Sequence, residues 1–124
     1  MGEDKIRQFA QFWLLSHLDD HPNLADDMVI PTFEKITEVT DSPEKFAIFL
    51  QSVMKVNLNF FQEAAFGAGP LEDFLYKNNP IPKAIAKTLL ESESGRNLLR
   101  IVDPEAISDP LFQVAVANAL TGRE

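Results

Sequence analysis

Two histidines, His17 and His21, stand four residues apart with Asp20 between them. On an unbroken helix that spacing brings two imidazoles to one face, within reach of a divalent metal that could activate water for hydrolysis. The surroundings weigh against such a centre. The run Asp19-Asp20-His21-Pro22-Asn23 ends a helix, because proline removes a donor and turns the residue before it away from helical geometry. No Glu follows His17, as the zinc-protease pattern requires. A histidine in the last turn, complementing the negative end of the helix dipole, is the simpler account. Adjacent acids at Asp19-Asp20, Asp26-Asp27 and Glu72-Asp73 could share a proton or a divalent ion. Neighbours on a helix, however, project about 100° apart and rarely cooperate.

Gly67-Ala68-Gly69-Pro70 sets glycine amides before a helix but lacks the Lys-Ser/Thr of a phosphate loop, and Glu72 and Asp73 oppose phosphate there. With no cysteine in the chain, a disulfide framework, a thiolate metal site and a cysteine nucleophile are excluded together. Ser, Thr and Tyr sit in no nucleophile elbow. The reading is a protein with no catalytic residue, no cofactor and no metal.

Charge is the more informative signal. The 124 residues carry a net charge of −8. Between residues 19 and 44, Asp19, Asp20, Asp26, Asp27, Glu34, Glu38, Asp41 and Glu44 face only Lys35. A field of this sign repels nucleic-acid phosphates and anionic lipid and favours a basic protein partner; a merely solubilising acidic surface is the bland alternative. The first residues, Met1-Gly2-Glu3-Asp4, are acidic where a secretory leader is basic, and Ile6 stands where a myristoylation signal has Ser or Thr. No run reaches the ~18 apolar residues of a membrane span, so the expected location is the cytoplasm.

The elements that carry these residues are helices. Ile6, Phe9, Ala10, Trp13, Leu14 and Leu18 recur at spacings of three and four and predict a first helix. Pro31 interrupts the next run, which predicts a turn over 24–30 and a helix from Pro31 to about Val39. Asp41-Ser42-Pro43-Glu44 is a helix start with Asp41 or Ser42 as cap, leading to a helix ending near Val56 whose apolar stripe is Phe46, Ala47, Phe49, Leu50, Val53 and Met54, with Val56 trailing. A short helix with Leu58, Phe60, Phe61 and Ala65 follows, closed by left-handed glycine at Gly67-Ala68-Gly69. Pro70 opens a further helix with Leu71, Phe74 and Leu75 inward, Ile81–Leu90 another, and Glu91–Gly95 a break before 97–102. Asp109-Pro110 caps the last, carrying Leu111, Phe112, Val114, Ala115, Ala119 and Leu120, with Gly122 as the stop. No segment alternates as a strand does. The expected fold is all-α, one domain over 1–124, a compact bundle or short solenoid-like stack of six to seven helices.

Phe33-Glu34-Lys35-Ile36-Thr37-Glu38-Val39, Asp41-Ser42-Pro43-Glu44-Lys45 and Gly69-Pro70-Leu71-Glu72-Asp73-Phe74-Leu75 together resemble a bacterial all-helical family of unknown function. Its members carry an aromatic-led helix, an Asp-Pro-Glu-type helix start and a Gly-Pro-Leu-Glu-Asp-Leu-Leu block. The resemblance covers about residues 30–78, with Phe74 where Leu is usual and Phe33 where Trp is expected. It implies a helical fold and a bacterial or phage-related origin, and supplies no activity.

The functional expectation is an acidic binding protein that meets a basic partner (a toxin, a nuclease or a nucleic-acid-binding protein) through Asp19, Asp20, Asp26, Asp27, Glu34, Glu38, Asp41 and Glu44, as an immunity or antitoxin-like inhibitor or a nucleic-acid mimic. The alternatives are a metal-dependent hydrolase on His17, His21 and Asp20, and a helical scaffold or adaptor using an apolar groove.

Overall fold

Where apolar residues recur every third or fourth position the backbone is helical, and no strand occurs among the described residues. The structure is a computed structural model that describes residues 2–18 and 29–121, with the side chains of 29–33 excepted. Internal packing groups the chain into two compact units, Met1–Ala65 and Phe66–Glu124.

In the first unit, α1 (Glu3–Ser16) buries Ile6, Phe9, Ala10, Trp13 and Leu14. It packs on α3 (Pro43–Met54), where Phe9 lies 5.6 Å from Phe49, and Trp13 meets the same ring edge-on at 6.2 Å. α3 begins as its sequence dictates: Ser42 is the N-cap, its hydroxyl accepts from the Lys45 amide, and Pro43 occupies the first turn. α2 (Val29–Asp41) also packs on α3 and buries Val39 and Thr40. It starts two residues before Pro31, so the proline sits inside its first turn, where a missing donor costs no helical bond. α4 (Phe60–Phe66) starts with a capping box that the sequence reading overlooked. Asn59 Oδ1 accepts from the Gln62 amide at 2.8 Å, and Gln62 Oε1 accepts from the Asn59 amide at 2.9 Å. Gln62 and Phe66 are the buried residues of α4, while Phe60 is 74% exposed.

The second unit corrects the glycine reading. Gly67–Leu71 form a π-helical turn leading directly into α5 (Glu72–Lys77), not a left-handed stop. Gly67 is required by close approach: a Cβ there would lie 2.7 Å from Ile101 Cβ. α6 (Lys83–Glu91) and α7 (Glu93–Leu99) are separated by Ser92 alone, a narrower break than the expected 91–95, because Ser92 caps α7 by accepting from the Gly95 amide. A single 3-10 turn at Pro104–Ala106 precedes α8 (Pro110–Leu120). Leu71, Phe74, Leu75, Leu89, Leu98 and Leu99 form the unit's buried centre. On α8 only Phe112 and Val116 are buried, whereas Leu111 is 83% exposed. The expected stop at Gly122 lies outside the described residues.

Charge divides unevenly between the units. Residues 1–65 hold eleven Asp and Glu against five Lys and Arg, and residues 66–124 eight against six.

Candidate functional site

Helix periodicity decides which carboxylates share a surface. On α2, Glu34, Glu38 and Asp41 follow at intervals of four and three and so occupy one stripe, with Val39 and Thr40 turned to the buried side. Glu34 and Asp41 are exposed and Glu38 is half-buried. Asp41 is the last residue of α2, Ser42 makes the corner, and Glu44 stands exposed in the first turn of α3, where a negative charge complements the helix dipole. Lys45 Nζ donates to Glu38 Oε2 at 2.9 Å, and this bond holds the lysine above its ordinary pKa. Glu34 and Glu44 make no ion pair among the described residues. The structure thus brings Glu34, Glu38 and Asp41 onto one stripe and places Glu44 just past its end; Asp19, Asp20, Asp26 and Asp27 lie outside the described residues.

His17, the described member of the histidine pair, ends α1 as its C-cap. Its ring stacks on Trp13 with centroids 4.2 Å apart, and Nδ1 lies 2.8 Å from the Trp13 carbonyl oxygen. A carbonyl only accepts, so Nδ1 carries the proton and is occupied by the helix end. His21 and Asp20 lie outside the described residues. Among the described residues, no three His, Asp or Glu side chains gather as a metal site would need.

The first unit also contains a feature that sequence reasoning missed. Gln11, Leu14, Leu15, Leu18, Val56, Asn57, Asn59 and Gln62 line a groove of about 460 Å³ along the C-terminal end of α1. Its two sides are tied together. Gln62 Nε2 donates to the Leu14 carbonyl at 3.0 Å, which also accepts from the His17 amide at 3.3 Å, and Asn59 Nδ2 donates to the Leu18 carbonyl at 2.9 Å, so side chains from the α4 start bind carbonyls at and just beyond the end of α1. Leu15 is 63% exposed, and Leu18 and Val56 are each 48% exposed. The sequence reading placed Leu18 on the core stripe; the helix ends at Ser16, and Leu18 falls beyond it. The available signal was Asn59 and Gln62 at capping-box spacing directly after Val56.

No family model, curated protein or solved structure matches the chain. Among the described residues no helix is long and apolar enough to cross a membrane.

Proposed function

We propose that this chain is a non-catalytic acidic binding protein that engages a basic protein partner, as an inhibitor of the immunity, antitoxin or nucleic-acid-mimic kind, in the cytoplasm of a bacterial cell. The observation that carries the reading is the α2 stripe of Glu34, Glu38 and Asp41, continued past the corner by Glu44, with Glu34 and Glu44 open to solvent and without an ion pair among the described residues. Carboxylates presented on one side of a helix sum their fields, which steers a cationic surface into register and raises the encounter rate. The resemblance of residues 30–78 to a bacterial helical family belongs to the same proposal and assigns no reaction.

Affinity capture from the source cell's lysate at low and high salt tests the reading. The protein should retain a basic protein at low salt and release it as ionic strength rises, and Glu34→Lys with Glu44→Lys should abolish retention. Capture that is indifferent to both salt and charge reversal contradicts it.

A further inference from the structure

We draw no further inference here: the strongest candidate, the apolar groove along the C-terminal end of α1 where Leu15, Leu18 and Val56 are exposed, has no ionisable side chain in its lining among the described residues, and nothing in the structure shows what covers it.

Discussion

The carboxylates of α2 and the carboxylate of Asp109 are the same functional group in opposite settings. Asp109 is buried in the second unit. Its Oδ2 accepts from the Ile81 amide at 2.8 Å, and its Oδ1 accepts from the Leu111 and Phe112 amides at 3.0 and 3.3 Å, so one side chain starts α8 and fastens the segment leading into α6. Glu34, Asp41 and Glu44 instead project to solvent. The formal charge of the chain counts all of them alike, yet the Asp109 carboxylate is consumed by the fold while Glu34 and Glu44 are exposed and make no ion pair among the described residues. Local geometry, rather than composition, separates a carboxylate that holds backbone amides from carboxylates that face solvent.

Asp109→Ala should break the structural side of this contrast most severely, giving the largest fall in melting temperature among the variants considered, because three backbone N–H groups lose their acceptor together. Asp109→Asn, which keeps a carbonyl oxygen, should recover part of the loss. Gly67→Ala should cost about 1–3 kcal/mol in urea unfolding, since the added methyl meets the body of Ile101.

Acid should expose the same difference. The amide of Ile81, with those of Phe112 and Leu111, holds the Asp109 carboxyl below its ordinary pKa. A depressed folded pKa contributes stability that is fully present above the unfolded value of about 3.9 and is lost as pH falls through the folded one. The urea midpoint should therefore decline below about pH 4, and less steeply in Asp109→Asn. Gly69→Ala should raise stability by about 0.5–1 kcal/mol, because the position is helical and a Cβ there meets nothing within 4 Å. The smallest effect on stability is expected from Glu34→Lys with Glu44→Lys, whose melting temperature should stay close to that of the parent chain.

Much of the fold was legible because periodicity and caps are local. The stripe Ile6, Phe9, Ala10, Trp13 and Leu14 and the caps at Ser42 and Asp109 follow from residues within one or two turns of each other. The glycine error at 67–69 has a different origin. Whether glycine ends a helix or admits a neighbour depends on Ile101, a residue with no local sequence relation to it. The groove was hidden for the same reason: Gln62 and Leu14 are 48 residues apart, and nothing near either announces their hydrogen bond. The acidic stripe of Glu34, Glu38 and Asp41 was partly readable, as three acids at helical spacing, but their exposure and the diversion of Glu38 to Lys45 needed coordinates.

The most direct measurement is the association rate with the captured basic partner, taken by stopped flow across a series of salt concentrations, for the parent chain and for the variant carrying Glu34→Lys, Glu38→Lys, Asp41→Lys and Glu44→Lys. Electrostatic steering by α2 predicts a rate at least about tenfold lower for the variant and a flatter dependence on salt. The same rate and the same salt dependence in both proteins would contradict a recognition role for these carboxylates.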